Sequence, residues 1–344
     1  MNNQLTLSVV IPTYNMERFL NRCLSSVCIK KFIGQIEVIL VNDGSTDSSL
    51  AIATSFNQSF PELLRVIDKP NGNYGSCINA ALDLANGKYI KILDADDCFD
   101  PIGFEKFVDY ISKIDVDLIL SDFDMVDEKG KVIRHYKYPY KLHETYPVTK
   151  LNEPIEMWMH AVAYRTDNLR EIQYSQTEGV SYTDQEWLFL PMSTVNTFSY
   201  FPKTVYRYTV GRSGQTIDPD VFIRKIDDEI TGFRVMLNEY LEGQWTNEHD
   251  RYLTGRLLTR AGTIYSAFLI YYLGGMNMEK LVSLDKFISD KSQRLYYLTN
   301  NINPPFKLLK YKYIHDWRKN GYRISLMIRI LHYIKKIRRK ICRK

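Results

Sequence analysis

The run Tyr89–Asp97, YIKILDADD, sets an apolar, strand-like segment directly against the carboxylates Asp94, Asp96 and Asp97. Carboxylates crowded at the end of a strand repel one another, and a hard divalent cation bound through oxygen ligands relieves that repulsion. Mg2+ or Mn2+ suits such a site. No His or Cys other than Cys98 stands at ligand spacing, and Mg2+ favours oxygen-rich sites that also take phosphates. The competing reading is a solvated acidic turn with Asp100 capping the next helix, and an isolated D-x-D does not decide between the two.

Periodicity gives the elements that must position these acids. Leu7–Tyr14 reads as a buried β-branched strand broken by Pro12, and Gln35–Val41 as a second strand running into Asn42-Asp43-Gly44-Ser45. Between them Phe19, Leu20, Cys23, Leu24, Val27 and Cys28 recur at helical spacing, and Ser45-Thr46-Asp47 opens another helix through Leu50, Ile52 and Ala53. Leu63–Ile67 is a short third strand. It leads to a helix through Ile78, Ala81, Leu82 and Ala85 that Gly87 closes, then to the acid-bearing strand and a helix beginning at Asp100-Pro101. Such alternation predicts an α/β fold with a mostly parallel sheet flanked by helices, whose ligands bind at the carboxyl ends of the strands. Pro12-Thr13-Tyr14, Asn42-Asp43-Gly44-Ser45 and Asp94-Ala95-Asp96 all fall at such ends and converge on one rim. Neither the dinucleotide-binding G-x-G-x-x-G nor a P-loop is present, so phosphate bound at this rim is expected to be held through a metal.

The first hundred positions resemble the nucleotide-sugar half of a bacterial-type, non-processive family 2 glycosyltransferase with the GT-A fold. The resemblance rests on Val9–Asn15, on Val38–Asp47, on Asn71-Gly-Asn-Tyr-Gly75 with Asn79, and on Leu93–Asp97, in the family's order and spacing. It implies that Pro12, Thr13, Tyr14 and Asp43 hold the uracil and ribose of a UDP-sugar, with Asn42 in place of the family's first acid. A carboxylate at Asp43 can accept the uracil N3 hydrogen and Tyr14 offers a ring for stacking, although Asp43 is also placed to cap the following helix. It further implies Asn71, Asn79 and Ala95 as donor-site positions, Asp96 as the ligand of a Mn2+ or Mg2+ that bridges the donor phosphates, Asp94 toward the ribose or sugar, and Asp97 as an orienting group.

The acceptor's base should come from outside this half. Thr183-Asp-Gln-Glu-Trp187 resembles the family's Glu-Asp pair at a helix start, which places the base at Asp184, with Thr183 replacing the Glu and Glu186 as the rival. The same residues also spell a Thr-x-x-Glu capping box. By resemblance, Tyr206-Arg-Tyr208 and Gly211–Gln215 form a basic loop near the diphosphate, with Arg212 as a phosphate contact. Asp122, Asp124 and Asp127 read as solvated acids of a loop, and His160 as a packed histidine beside Trp158. The Gln-x-x-Arg-Trp motif of processive family members is missing, which implies one sugar per acceptor.

From about 221 the pattern is helical, with Leu253, Leu257, Leu258, Ala261, Tyr265, Phe268 and Leu269 in register. In the tail, Ile324, Met327, Ile328, Leu331, Ile334, Ile337 and Ile341 fall three or four apart, while Lys335, Lys336, Arg338, Arg339, Lys340, Arg343 and Lys344 add seven positive charges. The chain is formally +5, so residues 1–334 without those seven stand at −2. Locally concentrated basicity on an amphipathic helix points to an anionic membrane surface rather than to specific nucleic acid; the alternative is a helix packed on its own domain.

With 344 residues and 45% hydrophobic composition the chain can bury a substantial core. It is expected to divide into a nucleotide-sugar half at 1–100, an acceptor half at 101–220, a helical appendage at 221–303 and the basic tail at 304–344. No signal peptide or spanning segment is evident, and the five cysteines show no disulfide framework. The expected protein is cytoplasmic and peripheral on the inner membrane face. It would be an inverting, metal-dependent transferase that moves one hexose from a UDP-sugar to a hydroxyl of a lipid-linked glycan for cell-surface polysaccharide. A sugar-phosphate nucleotidyltransferase would need a glycine-rich basic loop near its start, which Met1–Val10 lacks. A catalytically silent glycan-binding or membrane scaffold would tolerate alanine at Asp96 and Asp184.

Overall fold

The computed structural model describes residues 5–152, 157–211, 219–304 and 311–342. The chain forms two compact units, Met1–Val221 and Phe222–Lys344.

The first unit is built on a ten-stranded mixed sheet flanked by helices. Its leading strands are β1 (Leu7–Thr13), β2 (Ile36–Asp43), β3 (Leu64–Lys69) and β4 (Tyr89–Ile92), with helices α1 (Glu17–Val27), α2 (Ser49–Ser59) and α3 (Asn73–Leu82) in the crossovers. These strands lie parallel in the order β3-β2-β1-β4, as the alternation of elements requires. Every residue of β1 and β4 is buried, because central parallel strands covered on both faces read as continuous apolar runs. Pro12 does not break β1. The strand continues through Pro12, paired with Val41, to Thr13, paired with Asn42. The second helix also starts later than its Ser45-Thr46-Asp47 signal: α2 begins at Ser49, and Asp47 accepts the Ser49 N–H instead of starting the helix.

Beyond the acid turn, β5 (Cys98–Phe99) leads to α4 (Pro101–Ile111), whose N-cap Asp100 accepts the Gly103 N–H at 2.8 Å. The sheet is completed by β6 (Leu118–Val126), β7 (Val132–Tyr136), β8 (Thr145–Pro147), β9 (Val162–Arg165) and β10 (Thr197–Thr209), with α5 (Thr166–Glu171) and the one-turn α6 (Asp184–Trp187) between the last two strands. Asp122 and Asp124, expected in a loop, are buried members of β6. Asp122 accepts from Tyr200, and Asp124 from Thr204 at 3.0 Å. Tyr206-Arg-Tyr208, expected in a basic loop, lies within β10, which pairs with β6 and β5. The period-two run Thr204–Thr209 of aromatic and β-branched residues is the signal for that strand.

The second unit comprises α8 (Ile226–Glu242) after a short α7 (Pro219–Arg224), then α9 (Asn247–Ser266) ending in a π-turn at 267–271, α10 (Met278–Lys291), α11 (Gln293–Thr299), α12 (Tyr313–Lys319) and α13 (Leu326–Cys342). Its core joins Phe233, Leu237, Leu257, Ile264, Phe268, Leu284 and Trp317. Arg318 makes a buried ion pair with Asp285 at 2.6 Å and also donates to Asn300, so α12 is tied into α10 and the end of α11. Ile328 and Leu331 of the tail's apolar stripe are buried against the 267–271 turn, with Ile324, Met327 and Ile334 half-buried. Much of that stripe therefore packs on its own unit.

A Cβ at Gly103 would lie 1.7 Å from the Thr204 carbonyl oxygen, so α4 rests on β10 only because position 103 carries no side chain. Gly103→Ala is expected to lower stability by about 1–3 kcal/mol, read as a fall in the thermal unfolding midpoint.

Candidate active site

The ends of β1, β2 and β4 lie side by side, and the loops that leave them knit together. Asn15, with φ 54°, accepts the Thr46 N–H at 2.8 Å, while Asn15 N–H donates to Ser45 and Met16 N–H to Ser49. Tyr14 projects from this rim and is 47% exposed, whereas Pro12 and Thr13 are buried. Asn42 donates to Asp68 at 2.7 Å. An aspartate at position 42 would set two carboxylates in contact, which is a physical reason for an amide there.

Asp43 is 2% exposed and does not cap α2. Its Oδ1 accepts from Lys69 Nζ at 2.6 Å and from the Gly72 N–H at 2.9 Å, at the start of α3. Asn71 is exposed and donates to the Asp43 carbonyl at 2.9 Å. Gly44 takes φ +69° and its missing Cβ would meet Asn71 N at 3.0 Å, so the turn that seats Asp43 needs glycine. Asn79 faces elsewhere: its amide engages Gln176 N and O and Glu178 Oε1, joining α3 to the 176–178 loop.

The acid turn is braced from β10. The Tyr206 hydroxyl donates to Asp97 Oδ2 at 2.6 Å and accepts the Asp94 N–H at 3.1 Å, while the Thr209 N–H donates to Asp97 Oδ1 at 2.6 Å. Arg22 from α1 donates to the Asp96 carbonyl and to Thr209, and Tyr74 from α3 donates to Asp94 Oδ1 at 2.7 Å. Asp97 is fully buried and Asp96 is 7% exposed. Burial, then the charges of Asp96 and Asp94, holds the Asp97 carboxyl well above the usual carboxylate range. Ala95, between the acids, is buried at 2%.

His160 was absent from the ligand set read in the sequence, because it arrives from the short helical turn Met159–Ala161 that precedes β9. A ring nitrogen of His160 and carboxylate oxygens of Asp94 and Asp97 lie within 4.8 Å of one another. His160 Nδ1 is buried without a hydrogen-bond partner, and burial together with the Lys91 charge pushes the ring down to about 3. A neutral imidazole beside crowded carboxylates is chemically suited to a divalent cation. Asp94, Asp97 and His160 thus form a donor set suited to a divalent cation, and Asp96, the ligand expected from the sequence, is not one of the three.

Lys91 holds the segment that carries His160. Its ammonium donates to the His160 carbonyl at 2.7 Å and the Val162 carbonyl at 3.1 Å, bridging β4 to β9. Burial pushes Lys91 down from 10.5 to about 7.

Asp184 is half-buried and accepts from Gln185 Nε2 at 2.9 Å. It begins α6, which packs against the Met159–Ala161 turn that carries His160. Glu186 points inward at 2% exposure and accepts the Thr177 N–H at 2.7 Å. The capping box does not form: Thr183 makes no side-chain cap. Trp187 is buried between Tyr164 and Tyr174, and Trp158 packs on Phe123, Tyr136 and His160. Arg212 lies outside the described residues.

A lysine whose folded pKa lies below its unfolded one binds fewer protons when folded between the two values. The folded state therefore loses stability as pH falls from about 10.5 to about 7, and no further below that. Lys91→Met removes this loss. Its unfolding free energy relative to the native chain is expected to rise as pH is lowered across that window and to level off below about 7, as followed by denaturant unfolding at several pH values; a pH-independent difference would contradict the assignment.

Residues 8–173 match the model of glycosyl transferase family 2. An uncharacterized glycosyltransferase of Nostoc sp. is 32% identical over 129 residues, which is 38% of this chain and 40% of that protein. Another, from Mycoplasma pneumoniae, is 30% identical over 186 residues, 51% of this chain and 60% of that one. A chondroitin synthase of Pasteurella multocida is 25% identical over 246 residues, 71% of this chain and 24% of the synthase. This chain therefore spans less than two thirds of each of these relatives. Among solved structures, S. aureus TarS (1-349) superposes with a TM-score of 0.65 at 20% identity, covering 98% of this chain and 92% of that one, and likewise in its complex with UDP-GlcNAc. That likeness covers both the GT-A-like α/β unit and the helical unit that follows it in sequence. Over residues 8–173, just under half of its length, the chain matches glycosyl transferase family 2 and is similar to its members.

Proposed function

We propose that this protein is an inverting, metal-dependent glycosyltransferase that moves one hexose from a UDP-sugar to a hydroxyl of a lipid-linked glycan in cell-surface polysaccharide synthesis. The observation that carries the reading is that the carboxylates of Asp94 and Asp97 gather with His160 at the end of β4, while α6, which begins at Asp184, packs against the turn that carries His160. In this reading a proton acceptor and an anionic metal-binding turn serve one site beside the rim where β1, β2 and β4 end. The chondroitin and hyaluronan synthases of Pasteurella multocida among its relatives, and the UDP-GlcNAc complex of TarS, support a UDP-sugar donor and a glycan acceptor.

In this reading residues 1–100 hold the donor. The exposed ring of Tyr14 stacks on uracil, Thr13 and Pro12 shape the floor beneath it, and Asp43, fixed by Lys69 and the Gly72 N–H, accepts the N3 hydrogen. Asn71 keeps the Asp43 turn in place, and Arg212 contacts the diphosphate. Asp94 orients the ribose or sugar through the geometry that Tyr74 imposes on it. Asp96, the position that the resemblance implies, would hold Mn2+ or Mg2+ beside the gathered donors of Asp94, Asp97 and His160; when bound, such an ion stabilises the negative charge that develops on the departing diphosphate. Residues 101–220 receive the acceptor, whose hydroxyl proton passes to an Asp184 carboxylate oxygen as the oxygen attacks the anomeric carbon from the face opposite UDP. Glu186 accepts the Thr177 N–H, which supports Asp184 over its rival as the base. The protein is placed on the inner membrane face, where lipid-linked acceptors are presented, through its C-terminal helix.

Asp184→Asn keeps size and polarity but removes the basic oxygen. Transfer is expected to fall by at least about a hundredfold, while UDP binding measured by calorimetry stays within about twofold. Equal loss of both would contradict the role given to Asp184.

A further inference from the structure

The terminal helix α13 carries two apolar faces that point in opposite directions. On one, Ile328 and Leu331 are buried, His332 Nδ1 lies 2.8 Å from the Ile270 carbonyl and Lys335 sits over the Tyr271 ring at 4.8 Å. On the other, Leu326, Ile330, Tyr333 and Ile337 are exposed at 74%, 41%, 61% and 58%. At about 100° per residue these four side chains fall within an arc of roughly 60° and lie across the helix from Ile328. Exposed Arg329 and Lys336, seven residues apart, border that arc on one side.

We propose that this outward stripe is a docking surface for an anionic lipid bilayer, with α13 lying in the plane of the interface. The inference rests on the membrane placement given above and changes the face that performs it: the stripe through Ile328 and Leu331 anchors the helix to its own unit, and Leu326, Ile330, Tyr333 and Ile337 meet the lipid. Contiguous exposed apolar side chains on one helix face mark an interaction surface in a way that scattered ones do not. Tyrosine suits a boundary where one end of the ring is apolar and the other wet. Charge selects the occupant. Pairing two copies of the chain through this stripe would bring Arg329 and Lys336 of both together, and the sequence beyond them adds Arg338, Arg339 and Lys340. An anionic surface instead complements every one of these groups.

Vesicle flotation of the full chain tests the proposal, with phosphatidylglycerol–phosphatidylcholine vesicles compared with phosphatidylcholine alone. The native chain is expected to float with the anionic vesicles and less with the neutral ones, and to release as salt is raised. The triple variant Ile330→Gln, Tyr333→Gln, Ile337→Gln is expected to lose roughly tenfold or more of this binding with an unchanged thermal midpoint, since none of the three side chains is buried. Undiminished flotation of the variant would overturn the proposal. So would failure of the native chain to float, or sedimentation velocity in which the stripe drives self-association without lipid. UDP titration of the same preparations reads the donor site independently, so the two assignments fail separately.

Discussion

Three carboxylates share the end of β4, and the rest of the first unit is arranged around holding them there. Asp97 cannot point to solvent: it is fully buried, its pKa is raised by burial and by its two neighbours, and its oxygens are gripped by Tyr206 and the Thr209 N–H from β10. The same tyrosine hydroxyl takes the Asp94 N–H, so a single side chain fixes both flanks of the turn. Arg22 adds a third grip on the Asp96 carbonyl. Such a turn stores electrostatic repulsion in a rigid frame, which is the state that a cation binds with least reorganisation.

That constraint explains why β10 is long and irregular. It runs parallel to β6 over most of its length, shifts register between Phe201 and Tyr206, and pairs antiparallel with the two-residue β5 that follows the acids. The irregularity brings Tyr206 and Thr209 against the turn. On the opposite flank, buried Lys91 ties β4 to the carbonyls of His160 and Val162 and so fixes the segment that delivers His160. Burying an ammonium without a carboxylate partner is unfavourable, and its lowered pKa records that. The position therefore costs stability in order to hold geometry.

The β-α alternation of residues 7–111 was legible because its strands are continuous apolar runs with loops marked by Pro, Asn, Asp and Gly. The convergence of Thr13, Asp43 and Asp94 on one rim followed from that alternation alone. What escaped were the contributions of residues far away in the chain. Nothing near Tyr206 or His160 in sequence reveals that they meet Asp94 and Asp97, because antiparallel pairing of β4 with β9 and of β5 with β10 sets those contacts. Likewise the heptad-like spacing in the tail identified an amphipathic helix correctly, yet spacing alone cannot say which of two apolar faces a neighbouring helix will cover. Ile328 and Leu331 face inward because the 267–271 turn is there to receive them.

The most direct test of this account is calorimetric titration of UDP with and without Mn2+, on the native chain and on Asp96→Ala. The account predicts UDP binding that strengthens with Mn2+ in the native chain, and loss of that metal-dependent part in the variant. UDP binding indifferent to Mn2+, or metal dependence undiminished in Asp96→Ala, would contradict the claim that the acid turn at the end of β4 holds the donor diphosphate through a cation.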